Sequence, residues 1–269
     1  MGSSEMSDDL IHLNLLPAIS TKQMQAILGH KIILHQINLT VPQGQWTSII
    51  GANGAGKTTL LKALAGLLAH ENEVMLFGQV IETIPKQERA KKLAWLGQNE
   101  VITNDILVYD LVMLGRLPHQ NWLGTSSTSD HEAVKQSLHT TNSWPLRQRP
   151  FSELSGGERQ RVLISRALAV NAQIILMDEP LSNLDPPHQT DLMNIIKSLI
   201  LDKKTVVTVL HDISFALHAE QIIIIQDGKL MHQGPAADAL THNLIEEAFQ
   251  HRIKIYPLNQ SWVTVPYFP

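Results

Sequence analysis

The sequence predicts an α/β fold, a mostly parallel sheet flanked by helices, on three observations. Short apolar runs alternate along the chain with helical patterns, as strand–helix–strand units require. Two of these runs, Gln173 to Met177 (QIILM) and Thr205 to Leu210 (TVVTVL), are continuously apolar, which suits strands buried on both faces. A third run, Trp46 to Ile50 (WTSII), leads directly into Gly51 and then into a helical pattern.

From the start of the chain, MGSSEMSDDL is acidic and has no basic region leading into an apolar run, so no secretory signal is expected. Met6 stands where a myristoylation motif has Ser or Thr. Ile32 to Val41 alternates in part and reads as an outer strand, closed by the turn Pro42-Gln43-Gly44. The helix after Gly51 reads TTLLKALAGLL from Thr58 to Leu68. Between Gln98 and Leu154 the pattern turns helical, with helices expected over Asn104 to Gly115 and Asp130 to Leu138. Ser129 and Glu132 form a capping box for the second, after a polar linker from Gln120 to Ser129. This region reads as a small helical insertion. Beyond Pro235 a helix-like Ala236 to Gln250 precedes an apolar tail ending VTVPYFP, to which the pattern assigns no role. The chain has no internal repeat, low-complexity tract or heptad array.

Composition narrows the class. With 43% hydrophobic and 17% charged residues over 269 positions, the chain reads as an ordinary globular protein of one large or two small domains. A formal net charge of −4 lacks the basic excess that favours nucleic acid. No cysteine is present, so disulfides, thiolate metal sites and thiol nucleophiles are excluded. The apolar runs fall far short of the roughly 20 residues that cross a bilayer, so membrane association is expected only through a partner.

Gly51-Ala52-Asn53-Gly54-Ala55-Gly56-Lys57-Thr58 matches the phosphate loop G-x-x-x-x-G-K-[ST] in full, between a strand and a helix. Its glycines let backbone N–H groups turn inward around the β- and γ-phosphates, and the helix N-terminus adds its dipole. Lys57 adds a point charge; one such pair at about 4 Å and an effective dielectric of about 20 is worth roughly 4 kcal/mol before desolvation. Thr58 is placed to ligate Mg²⁺, and Thr59 to hydrogen-bond the α-phosphate. The apolar run before Asp178-Glu179 delivers Asp178 to the Mg²⁺ shell, with Glu179 placed to orient or deprotonate an attacking water.

Ser155-Gly156-Gly157-Glu158 opens a second helix. Ser155 and Glu158 fit a capping box, but two glycines in a first turn cost about 1 kcal/mol each relative to Ala. Close approach of a phosphate to the backbone accounts for them.

With GANGAGKT before it and LMDEP after it, LSGGERQR resembles the signature motif of ABC-type ATPases, and the resemblance covers nearly the whole chain. It implies a P-loop NTPase (RecA-like) core with an antiparallel β subdomain and a helical insertion, binding ATP and Mg²⁺. Gln98 then corresponds to the glutamine loop, with catalytic and metal-shell roles. Ser182-Asn183-Leu184-Asp185 corresponds to the loop that crosses the dimer, and His211 to the switch histidine. Each alone could be ordinary: a loop residue, a helix cap before Pro186-Pro187, a strand-end histidine. The family pairs two copies head to tail, each ATP lying between one copy's phosphate loop and the other's signature turn. Ser155, Gly156, Gly157 and Asp185 would thus meet a partner's nucleotide. Where members commonly place an adenine-stacking aromatic, this chain has Leu28-Gly29-His30-Lys31, with His30 the candidate for stacking.

The implied domains are an N-terminal extension over 1–21, an ATPase core over 22–98 and 153–235, a helical subdomain over 99–152, and a C-terminal helix and tail over 236–269. VMLGRLPHQNWLG, EPLSNLD and VLHDISFALHAEQIIIIQDGKLMHQGP resemble the ATPases of importers for iron chelates (ferric siderophores), haem and cobalamin. That implies integral membrane permease subunits as partners, a substrate-binding protein acting indirectly, no nucleic acid, and a place on the cytoplasmic face of the bacterial inner membrane. An ABC ATPase of another transporter class is the alternative. A soluble non-transport member is disfavoured by the single cassette and by too short a stretch between Thr58 and Leu154 for long coiled coils. The thirteen histidines are scattered and give no metal-binding pattern.

Overall fold

The computed structural model describes residues 16–98, 100, 102, 105–120, 125–259 and 261–268. The readings on Met6 and the first ten residues, the start of the expected helix at Asn104, and linker residues 121–124 lie outside the described residues.

In chain order, strands β1 (Ile19–Leu28), β2 (Lys31–Val41) and β3 (Trp46–Ile50) precede helix α1 (Lys57–Leu64), strands β4 (His70–Leu76) and β5 (Gln79–Val80), helix α2 (Lys86–Lys92) and strand β6 (Leu93–Leu96). Helices α3 (Val108–Met113), α4 (Thr128–Thr140) and α5 (Gly156–Ala169) follow. Then come β7 (Ile174–Asp178), α6 (Pro186–Leu201), β8 (Thr205–Val209), α7 (Ile213–Ala216), β9 (Gln221–Gln226), β10 (Lys229–Pro235), α8 (Ala239–Ala248), β11 (Ile253–Leu258) and β12 (Ser261–Pro266).

The main sheet runs β10-β9-β3-β8-β7-β6. Its pairs are parallel except β9 with β10, so the expected mostly parallel sheet is present. A second, antiparallel sheet runs β2-β1-β4-β5. Strand alternation divides the core between two layers. Ile49, Ile174, Leu176, Val207, Val209, Ile223 and Ile225 face α1 and the antiparallel sheet. Trp46, Ile50, Ile175, Met177, Val206, Ile222 and Ile224 join the layer that contains α3, α4 and α5. Both faces of the central strands are therefore buried, which is why they read as unbroken apolar runs.

Four expectations need correction. β1 opens at Ile19 and pairs with Val41 and Leu76, so the boundary drawn after residue 21 falls inside the antiparallel sheet. α1 ends at Leu64 rather than running to Leu68, because Gly66 takes φ +65° and its N–H turns back to Ala63 O (2.9 Å). The cap of α4 is Ser127 with Asp130, two residues before the expected Ser129 and Glu132; the spacing is the same, but Asp130 is also gripped by buried Arg116. The C-terminal helix spans Ala239–Ala248, capped by Asp238, and the tail beyond it folds into the hairpin β11–β12.

Candidate functional site

Three elements converge on one cleft. β3 leads into Gly51, whose φ of +148° and close seat against β9 exclude a side chain: a Cβ there would stand 2.1 Å from Ile225 O. Gly54 and Gly56 also take positive φ, and Gly56 is the left-handed residue from which α1 starts. Behind the loop, Gly228 N donates to Ala55 O (3.0 Å), while Gly228 O accepts from His35 N of β2 (2.8 Å). A Cβ on Gly228 would lie 2.0 Å from Ile33 O. The loop is thus clamped between the two sheets.

Lys57 is 5% exposed and folds over the loop, donating to Gly51 O (2.9 Å) and Ala52 O (3.0 Å). Burial lowers its pKa, against the opposing charges of Glu179 and Asp178. Asp178, at the end of β7, is fully buried and accepts from Thr58 Oγ1 (3.1 Å). Burial raises its pKa against that hydrogen bond, and the neighbouring Glu179 charge adds to the rise. Its second oxygen, Oδ2, is buried without a hydrogen-bond partner. A buried carboxylate with a spare acceptor beside a hydroxyl is a hard-oxygen set that fits Mg²⁺.

Glu179 occupies the left-handed region at φ +51°, uncommon for a residue with a side chain, and its N–H donates to Val209 O (3.1 Å). The turn separates the two adjacent carboxyls. Asp178 faces Thr58, while Glu179 Oε2 accepts from Gln98 Nε2 (2.5 Å) and Oε1 pairs with His211 Nε2. The cleft, about 230 Å³, is lined by Ile33, Asn53, Gly54, Gly56, Lys57, Thr58, Thr59, Glu179 and His211. His30 and Leu28 lie on the exposed β1–β2 hairpin, whose turn glycine, Gly29, has φ +63°.

The structure therefore brings Gly51 through Thr59, Gln98, Asp178, Glu179 and His211 together. It does not bring the signature turn there. Ser155, Gly156, Gly157 and Asp185 contribute nothing to the lining of this cleft. Ser155 caps α5 as expected: Glu158 N donates to Ser155 Oγ (3.4 Å) and Ser155 N to Glu158 Oε2 (2.8 Å). The Ser155 backbone hydrogen bond lowers the Glu158 pKa, with Arg149 contributing by charge. Ser155 and Gly156 are exposed, and Gly157 passes Asn183 so closely that a Cβ would stand 3.2 Å from its carbonyl. Asp185 caps α6, accepting from His188 N (3.3 Å).

Sequence reasoning missed Ile33, a wall of the cleft that reads as an ordinary strand residue. It also missed the ties on α5. Arg166 Nη2 donates to both oxygens of Glu100 (2.7 and 2.6 Å), and Glu100 accepts from Gly97 N (3.1 Å), so the segment carrying Gln98 is clipped to α5. Arg116 donates to Asp130 (2.8 Å) and to Ala169 O (2.7 Å), gripping the C-terminal end of the same helix. A groove of about 250 Å³ between α2, β6, α5 and the 3₁₀ turn Leu114–His119 is lined by Trp95, Leu114, Gly115, Pro118 and Arg166 among others. No helix among the described residues is long and apolar enough to cross a membrane.

Comparison with known proteins gives concordant results. A family model described as ABC transporter matches residues 34–182. The probable siderophore transport system ATP-binding protein YusV of Bacillus subtilis is 37% identical over 243 residues, covering 89% of this chain and 88% of that protein. The ferric enterobactin transport ATP-binding protein FepC of Escherichia coli is 36% identical over 87% and 88% of the two chains. The hemin import ATP-binding protein HmuV of Aliivibrio fischeri is 35% identical over 87% and 91%. Among solved structures, a dimeric bacterial ABC transporter cassette superposes with a TM-score of 0.73 at 29% identity, over 82% of this chain and 99% of that one. A metal-chelate type ABC transporter in an inward-facing conformation is similar in fold, with a TM-score of 0.77 at 24% identity over 94% and 98%.

Proposed function

The chain belongs to the ABC transporter family, and from that membership we propose that it is the ATP-hydrolysing subunit of an importer for a metal chelate: a ferric siderophore, haem or cobalamin. The single observation that carries the hydrolytic half is the Glu179 carboxylate held between Gln98 and His211 at the rim of a complete phosphate loop. The relatives' names, siderophore transport, ferric enterobactin transport and hemin import, support this reading.

In this reading Lys57 leaves the Gly51 and Ala52 carbonyls for the β- and γ-phosphates of ATP, and the N–H groups from Asn53 to Thr59 close around them. Mg²⁺, held by Thr58 and Asp178 with Gln98 beside them, would neutralise phosphate charge. Glu179 accepts a proton from water as that oxygen bonds the γ-phosphorus and the bond to the β–γ bridging oxygen breaks, giving ADP and phosphate. His211 orients Glu179 and the γ-phosphate. The separation of Ser155, Gly156, Gly157 and Asp185 from this cleft supports their acting on the nucleotide of a second copy. ATP then drives closure by binding the closed pair better than the open one. The Leu114–Pro118 groove suits a cytoplasmic helix of a permease, which would hold the subunit at the inner membrane and link it indirectly to a substrate-binding protein.

Deleting the gene in its host and measuring uptake of radio-iron siderophore, radio-iron haem and radio-cobalt cobalamin tests the proposal. Loss of uptake of one chelate, restored by the wild-type chain and not by Glu179→Gln, is expected. Unchanged uptake of all three would overturn the substrate class.

A further inference from the structure

The hairpin β11–β12 has no role legible in the sequence, yet it connects to His211. After β8, Asp212 caps α7, its Oδ1 accepting from Ser214 N (2.8 Å) and Phe215 N (3.4 Å). α7 has four residues, too few to hold a helical shape unaided. Its inner side is seated by Ile213 and Ala216 in the core. Phe215 packs partly buried against the same core, and the polar anchor of the helix is Ser214, whose Oγ bonds Thr264 Oγ1 (2.9 Å) and accepts from Thr264 N (3.0 Å) of β12.

The hairpin is itself firmly seated. Glu246 of α8 accepts from Lys254 Nζ (2.5 Å) and Ile255 N (3.1 Å), and Trp262 meets His242 edge-on at 4.3 Å between ring centres. Ile253, Ile255 and Trp262 pack on the core, and Tyr267 N donates to Arg252 O (2.8 Å). A continuous path thus runs from α8 through the hairpin, Thr264, Ser214 and the α7 cap to His211.

His211 needs such support. Its side chain is 48% exposed, and among the described residues its hydrogen-bond partner is Glu179. Its placement therefore depends on the backbone on both sides. Leu210 before it is buried and donates its N–H to Ile49 O (3.3 Å), which leaves the α7 segment after it as the side that the hairpin holds. Small misplacements of reacting groups are costly. We propose that the C-terminal hairpin, through the Thr264–Ser214 hydroxyl pair, positions His211 for hydrolysis. The inference rests on the assignment of His211 to the hydrolytic site.

The test is steady-state and single-turnover ATPase kinetics on the full chain. Ser214→Ala removes both bonds and is expected to lower kcat about tenfold with the KM for ATP nearly unchanged. Thr264→Val keeps the backbone N–H bond and is expected to lose about threefold, with Thr264→Ser restoring the rate. On a His211→Ala background, Ser214→Ala should cause no further loss. Wild-type kcat in both Ser214→Ala and Thr264→Val, with His211→Ala impaired, overturns the positioning role alone. So does an equal loss from Ser214→Ala on both backgrounds. Wild-type kcat in His211→Ala refutes the site assignment itself and the proposal with it.

Discussion

Replacing Asp130 by Asn removes the anionic partner of a buried arginine. Arg116 and Asp130 are 8% and 3% exposed, so neither charge is freely hydrated. Burial alone would raise the Asp130 pKa, but hydrogen bonds from Ser127 N, Arg116 and the Ser127 hydroxyl, with the Arg116 charge, outweigh it and bring it from 3.8 to about 2. At about 1.4 kcal/mol per unit, that difference corresponds to roughly 2 kcal/mol of stability at neutral pH. The variant also strands Arg116. Breaking a buried pair on one side costs about 3–5 kcal/mol, and since Asn still accepts a hydrogen bond the lower end, about 3 kcal/mol, is expected. The sign in pH follows from a folded pKa below the unfolded one: the contribution is complete above the unfolded value and is lost as pH falls towards 2. Urea unfolding of both proteins should show the gap narrowing by about 1 kcal/mol between about pH 5 and about pH 3. A gap below about 1 kcal/mol at neutral pH, or one indifferent to pH, would refute the account of this pair.

Three further outcomes are expected. Glu179→Gln should lower the hydrolysis rate at least about a hundredfold while equilibrium binding of a fluorescent ATP analogue stays near wild type; near-wild-type turnover would remove Glu179 from its role. Ser155→Arg should weaken ATP-induced dimerisation in analytical ultracentrifugation with nucleotide binding by the monomer little changed, and loss of monomer binding would contradict the proposed divided site. Gly228→Ala places a Cβ 2.0 Å from Ile33 O at a positive φ, and should cost about 2 kcal/mol or more in unfolding experiments.

Much of this architecture was legible because its signals are local. The phosphate loop, the Asp178-Glu179 strand end and the Ser155 cap each depend on residues within a few positions of one another. The central strands were legible because burial on both faces leaves no polar alternation. What escaped depends on distant partners. The spacing of Ser127 with Asp130 equals that of Ser129 with Glu132, and Arg116 decides between them from outside the helix. The clip of Glu100 to Arg166 joins segments far apart in sequence. The C-terminal hairpin contains Pro257 and Pro266, which mask strand character, and its anchoring by Glu246 and Ser214 has no local signature.

The backing of the phosphate loop by Gly228 and by Ile225 of β9 bears on nucleotide exchange. A loop whose backbone is already fixed from behind by both sheets surrenders little conformational entropy when ligand arrives. On the proposed function, the rearrangement left for ATP to bring about is local: Lys57 exchanges the Gly51 and Ala52 carbonyls for phosphate oxygens. Such a loop can empty and refill without refolding, because the contacts that hold its backbone are made by the two sheets and not by the nucleotide.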